Sequence, residues 1–146
     1  MVFRPQVVQS KPPSWVARLL LPFAYAAIAY VCVSNPGFQW TWPMLVCLLG
    51  YWILRQHIGL FSRHHLVQAL GGIAFIQGTT DVLRAYVLPF FQATDFTRSL
   101  PWHMLSQWLG LIGIALVLAV VVMGSVNALL GRGFYIPWVS ESLGLE

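Results

Sequence analysis

Long apolar segments separated by short polar ones give this chain its main pattern. Four of the segments reach the length of about 20 residues that an α-helix needs to cross the hydrocarbon core of a bilayer. They cover approximately residues 16–34, 43–61, 66–91 and 104–130. The pattern therefore predicts an all-α, polytopic membrane protein with four transmembrane helices.

Turn-forming residues separate these segments. A cluster at 35–37 follows the first segment, and Pro89 is predicted to close the third. Because the first two connections are short, consecutive helices are expected to lie side by side and antiparallel. The sequence predicts one transmembrane domain over residues 1–146, arranged as an up-down bundle with interfacial tails at 1–13 and 131–146.

The composition narrows the class of protein and its partners. Of 146 residues, 58% are hydrophobic and 8% are charged, whereas a soluble domain carries about 25% charged residues. These values exclude a soluble enzyme, a disordered tail and a DNA-binding domain. The net charge of +4 comes from only eight scattered Lys and Arg residues. We therefore expect no nucleic acid partner, and instead the lipid bilayer and other membrane protein subunits.

Basic residues indicate how the chain is oriented. Cytoplasmic loops of membrane proteins carry an excess of Lys and Arg. With four spans, most of the basic residues fall on one side, and only Arg98, with Arg84 leaning towards it, favours the other. Both termini are therefore expected in the cytoplasm, most simply at a bacterial inner membrane. The residues on the common side are Arg4, Lys11, Arg18, Arg55, Arg63 and Arg132.

The third segment carries most of the intramembrane polar residues. At helical spacing, Gln77, Thr80, Asp81 and Arg84 share one stripe. A lone carboxylate at membrane depth is unfavourable, so Asp81 is expected to form an ion pair with Arg84, three positions later. Two alternatives remain open at this point. The stripe is either a polar patch on which another subunit docks or part of a path for a solute or ion.

A second stripe lies on the opposite face of the same segment. It consists of Gln68, Gly72, Phe75 and Thr79. Small and polar residues at this spacing are typical of helix packing inside membranes. The third helix is therefore expected to contact protein on two sides and to lie at the centre of the chain or of an assembly.

Histidines are the remaining candidates for metal or haem ligands. His57, His64 and His65 cluster near the cytoplasmic ends of the second and third segments, without a nearby carboxylate or thiolate. A membrane haem requires two histidines on facing helices at similar depth. The placement therefore favours contacts with lipid headgroups, and neither a haem nor a surface metal is predicted. Cys32 and Cys47 lie in apolar runs and are expected to pack as small hydrophobic residues.

The C-terminal tail is aromatic, with Phe134, Tyr135 and Trp138 close together. Such a tail either anchors to the membrane interface or docks against a neighbouring protein. No nucleophile, phosphate-binding or zinc-protease motif occurs in the sequence. The chain is therefore not expected to be an enzyme.

These observations favour a non-catalytic subunit or accessory component of a larger membrane complex. One alternative is an immunity- or exclusion-type protein that binds and blocks another membrane protein. Another is an oligomeric conduit for a small solute or ion that uses the stripe containing Asp81 and Arg84. A single chain of four helices encloses little volume, so a conduit would require several copies.

Overall fold

The computed structural model describes residues 13–35, 37–93 and 101–133, and every regular element in these ranges is helical. This confirms the all-α class. The elements are α1 (Trp15–Ser34), a 3₁₀ turn (Gly37–Trp40), α2 (Thr41–Leu54), α3 (Leu60–Val82), a π-helical turn (Leu83–Val87), α4 (Leu88–Gln92) and α5 (Trp102–Leu129).

Three helices are long and apolar enough to cross a membrane. They are Trp15–Ser34, the continuous helix Leu60–Gln92 formed by α3, the π-helical turn and α4, and Trp102–Leu129. Their positions match the first, third and fourth predicted spans. The chain thus has the features of a helical membrane protein.

The second predicted span, 43–61, does not appear as one helix in the structure. Helix α2 ends at Leu54, a turn follows, and α3 begins at Leu60 after an extended Gly59. Its 14 residues extend about 21 Å, less than the roughly 30 Å of a hydrocarbon core. The reason is local, because polar side chains and Gly59 interrupt the apolar run between the two helices.

Pro89 does not close the third helix as predicted. The backbone N–H of Leu88 instead donates to the Leu83 carbonyl, and the helix continues to Gln92. Proline lacks an N–H and clashes with the carbonyl four residues earlier, so a proline in a helix normally forces a local distortion. The wider π-helical turn directly before Pro89 accommodates this clash.

The three long helices pack against one another, whereas α2 lies at the side. Tyr25 of α1 contacts His65 of α3, and Trp40 contacts Asp81 further along α3, so α1 and α3 are parallel. Helix α5 runs antiparallel to both, because its later residues contact early positions of α1. The main core contains Tyr25, Ile28, Ala29, Cys32, Trp40, Met44, Ala69, Leu70, Ile73 and Val117.

Glycines on α5 permit the close approach of its neighbours. A Cβ atom at Gly113 would lie 2.6 Å from Oγ1 of Thr80, and one at Gly124 would overlap the ring of Tyr25. Real Cβ atoms do not come this close to other heavy atoms. Both positions therefore need glycine if α5 is to keep its present distance from α3 and α1.

The ends of the bundle differ. At one end the starts of α1 and α3 and the end of α5 lie at a common level. The Arg18 side chain lies against Gly131, and His65 contacts the Arg132 carbonyl. At the other end α1 and α2 meet near Asp81. The remainder of the third and fifth helices continues about 16 Å further at 1.5 Å per residue. We call residues 83–92 and 102–110 the projecting end.

Substituting Gly113 tests the close approach of α3 and α5. We expect Gly113→Ala to lower the stability of the fold by about 1–3 kcal/mol, because the new methyl group meets the Thr80 side chain. The measurement is unfolding of the purified chain by SDS in mixed micelles, followed by far-UV circular dichroism. Gly50→Ala is the matched control, because a Cβ atom there meets nothing within 4 Å. Equal stability of the two variants would contradict the packing described.

Candidate functional site

Asp81 lies inside the protein, with 4% of its surface exposed. The indole N–H of Trp40 donates to Oδ2 at 2.6 Å, and Nε2 of Gln77 lies 3.4 Å from each carboxylate oxygen. The indole ring packs on Gly78, where a Cβ atom would lie 3.6 Å from the ring. Two donors from different parts of the chain thus hold the carboxylate in place.

The expected ion pair between Asp81 and Arg84 is not what the structure contains. Nε of Arg84 donates to the Ser106 hydroxyl at 3.2 Å, and its guanidinium lies against Gly110 of α5. Asp81 lies in the last turn of α3, whereas Arg84 belongs to the π-helical turn. The wider turn changes the angle between the two side chains, so the three-residue spacing no longer makes them neighbours.

The predicted stripe is therefore divided between two neighbours of α3. Asp81 contacts Trp40 and Gln77, whereas Thr80 and Arg84 lie against α5. The Thr80 hydroxyl donates to the Ile76 carbonyl at 2.8 Å, which satisfies it within its own helix. Each of the four side chains contributes to packing between elements or to a local hydrogen bond.

The second predicted stripe is also divided. Gln68 and Gly72 are buried, whereas Phe75 and Thr79 are exposed. The buried pair lies in the part of α3 that α1 and α5 cover. The exposed pair lies where α3 turns this face outward, so the four residues do not form one continuous packing surface.

A second buried polar site centres on His65, which sequence reasoning assigned to the lipid headgroups. Its side chain is fully buried; Nδ1 lies 3.2 Å from the Tyr25 hydroxyl and Nε2 lies 2.9 Å from the Arg132 carbonyl. A carbonyl only accepts, so Nε2–H donates to Arg132, and Nδ1 shares a hydrogen bond with the Tyr25 hydroxyl. The imidazole thus joins α1 and α3 to the end of α5, with the Phe61 ring 4.6 Å away between centroids.

This site had only a weak signal in the sequence. His65 stands beside His64 and Arg63, which suggested an interfacial position, and Tyr25 stands in an ordinary apolar run. The carbonyl of Arg132 carries no sequence signal, because every residue has one. Only the packing of three distant segments creates the site.

The other candidate ligands and docking residues do not gather into a site. Within 13–35, 37–93 and 101–133, no three His, Cys, Asp or Glu side chains are close enough to hold one metal ion. His57 is exposed, and both cysteines are free thiols. The aromatic candidates Phe134, Tyr135 and Trp138, together with most of both tails, lie outside the described residues.

No family model matches this chain, and no curated protein or solved structure is detectably similar to it. Its class therefore follows from its own features. It is a helical membrane protein with three candidate spans, in which two buried hydrogen-bonded sites join segments distant in sequence.

Removing the indole donor tests the site at Asp81. We expect Trp40→Phe to reduce the free energy of unfolding by about 1–3 kcal/mol, because a buried carboxylate loses a charge-assisted hydrogen bond. The measurement is SDS unfolding monitored by circular dichroism. Trp42→Phe is the control, because Trp42 is 75% exposed. If both variants unfold alike, the indole of Trp40 has no particular role.

A pair of tyrosines tests the site at His65. We expect Tyr25→Phe to reduce the free energy of unfolding by about 1–2 kcal/mol, because Nδ1 of the buried imidazole then loses its hydrogen-bond partner. Tyr30→Phe should have no comparable effect, since Tyr30 is on the same helix and 73% exposed. The comparison uses the same unfolding assay. A stable Tyr25→Phe variant would show that the hydroxyl is dispensable.

Proposed function

We propose that this chain is a non-catalytic subunit or accessory component of a larger membrane complex. The proposal rests mainly on the projecting end. Its exposed apolar side chains lie beyond the level at which α1 ends and α2 begins. The two buried polar sites support it as well, because their groups hold helices together and are turned away from the surface.

The charged residues suggest where the membrane lies. Arg18, Arg63 and Arg132 belong to the common end of the long helices, and Arg84 lies on α3 towards the other end. From Arg63 to Arg84 the helix rises about 31 Å, which matches a hydrocarbon core of roughly 30 Å. We infer that the bilayer core lies between these levels and that the projecting end extends beyond it.

Apolar side chains cover the outside of the projecting end. Phe90 of α4 is 70% exposed, and neither α1 nor α2 reaches its level. Several exposed apolar side chains outside the hydrocarbon core are typical of a protein interface. Other exposed residues of this surface are Tyr86, Met104, Leu105 and Trp108.

The proposal includes a topology. In this topology α2 returns the chain across the bilayer, although it is short, and the turn that contains Arg55 lies near the interface. The chain then crosses four times in an up-down arrangement with both termini in the cytoplasm. The excess of basic residues at the common end supports this orientation, and a bacterial inner membrane is the simplest location.

The conduit hypothesis receives less support from these contacts. A group that relays ions or protons needs access to a path, but Asp81 is buried and engaged by Trp40 and Gln77. Arg84 is turned towards Ser106 on α5. An immunity- or exclusion-type protein would use the same projecting end to bind its target. It would differ from a subunit because its target is present only when a toxin or an invading element arrives.

A matched pair of phenylalanines tests the proposal. The tagged chain is purified in mild detergent and analysed by native mass spectrometry, where we expect a foreign chain in fixed stoichiometry. Phe90→Ala should weaken retention of that chain by about tenfold, the effect of losing an interface anchor. Phe23→Ala should not, because Phe23 is equally exposed, at 73%, but lies between the proposed membrane boundaries.

Two results would contradict the proposal. One is a particle that contains only copies of this chain, with no foreign protein. The other is a partner that is lost equally from the Phe90 and Phe23 variants, because the projecting end would then have no special role in docking.

A further inference from the structure

Arg18 occupies an unusual position at the common end of the bundle. It lies in the first turn of α1 and is half-buried, with its guanidinium against Gly131 at the end of α5. A Cβ atom at Gly131 would lie 2.9 Å from the guanidinium carbon, and the backbone there has φ +69°. A glycine in the left-handed region therefore makes room for the cation.

The cation has no acceptor at its inner nitrogen. Nε of Arg18 is closed off from solvent and has no hydrogen-bond partner. The single acidic residue in the described ranges, Asp81, belongs to the opposite end of the bundle. The charge of Arg18 is thus not compensated inside the described part of the protein, so an anion that meets the guanidinium from outside would stabilise it.

Other basic residues surround the same level. Arg63 and His64 are half-buried in the first turn of α3, next to the His65 whose Nε2 donates to the Arg132 carbonyl. Arg132 is itself exposed just after α5. Three helices that are distant in sequence thus bring positive charge to one end.

We propose that Arg18, with Arg63 and Arg132, binds the phosphate of an anionic phospholipid at this end of the bundle. A planar guanidinium matches phosphate through two parallel N–H bonds. Basic pockets between transmembrane helices are suited to anionic headgroups. This site is independent of the partner proposed at the projecting end.

The surroundings of Arg18 favour a lipid over a free phosphate ion. Trp15, Val16 and Leu19 flank it on α1 and are all exposed. Tryptophan is enriched at the level of the headgroups, and the aliphatic side chains offer a surface for an acyl chain. A lipid satisfies both the charged and the apolar parts of this surface, whereas an inorganic anion satisfies only the charge.

Lipid titration followed by native mass spectrometry tests the site. The purified, delipidated chain is titrated with phosphatidylglycerol and, separately, with phosphatidylcholine. We expect phosphatidylglycerol to bind about tenfold more tightly, and Arg18→Gln to remove about tenfold of that affinity. Arg18→Lys should restore it only in part, because lysine keeps the charge but not the paired donors.

Arg55→Gln is the control, because Arg55 lies in the turn that leads into the start of α3. Arg55 is exposed, with its guanidinium 5.3 Å from the centroid of the Trp52 ring. Its loss should change the affinity by less than about twofold, as expected for an exposed charge in water. An equal loss in the Arg55 and Arg18 variants would show unspecific attraction to positive charge and overturn the proposal.

Two further outcomes keep the test decisive. Equal affinity of the unmodified chain for the two lipids would overturn the proposal without any mutant, so a variant that fails to fold does not weaken the test. Displacement of phosphatidylglycerol by millimolar inorganic phosphate would identify a free-anion site and overturn the lipid assignment. Retention of the lipid under the same conditions supports it.

Discussion

A buried carboxylate in an apolar bundle must find hydrogen-bond donors, and this requirement fixes much of the structure. Asp81 finds them in the indole of Trp40 and the amide of Gln77. Because Trp40 immediately precedes α2, this contact fastens the connection between α1 and α2 to a defined level of α3. That level determines where α1 ends and α2 begins, and α4 and the start of α5 continue beyond it.

The opposite end of the bundle is fastened in a different way. Tyr25, His65 and the Arg132 carbonyl form a chain of hydrogen bonds that joins α1 and α3 to the end of α5. Between the two ends, glycines on α5 let the side chains of α1 and α3 approach closely. Dispersion and burial then stabilise the packing of the three helices that the polar contacts hold in register. The described helices are thus joined at both levels, while many of their outward apolar side chains are exposed.

The apolar runs were sufficient to predict the three long helices, because length and hydropathy are local properties. The ion pair predicted from the spacing of Asp81 and Arg84 does not form, because the π-helical turn that accommodates Pro89 changes the relative direction of the two side chains. Local sequence also misled at His65, whose neighbours are basic but whose partners come from α1 and the end of α5. The pairing of Trp40 with Asp81 was not predicted, because it depends on how α1 packs on α3, which no single segment encodes.

The central claim is that Trp40 and Asp81 act as one structural unit. A double-mutant cycle of Trp40→Phe and Asp81→Asn, measured as free energy of unfolding in mixed micelles, tests it most directly. The account predicts a coupling energy of about 1–2 kcal/mol, because either substitution alone already removes the charge-assisted bond. Effects that add within about 0.5 kcal/mol would show that the two residues stabilise the fold independently and would contradict the account.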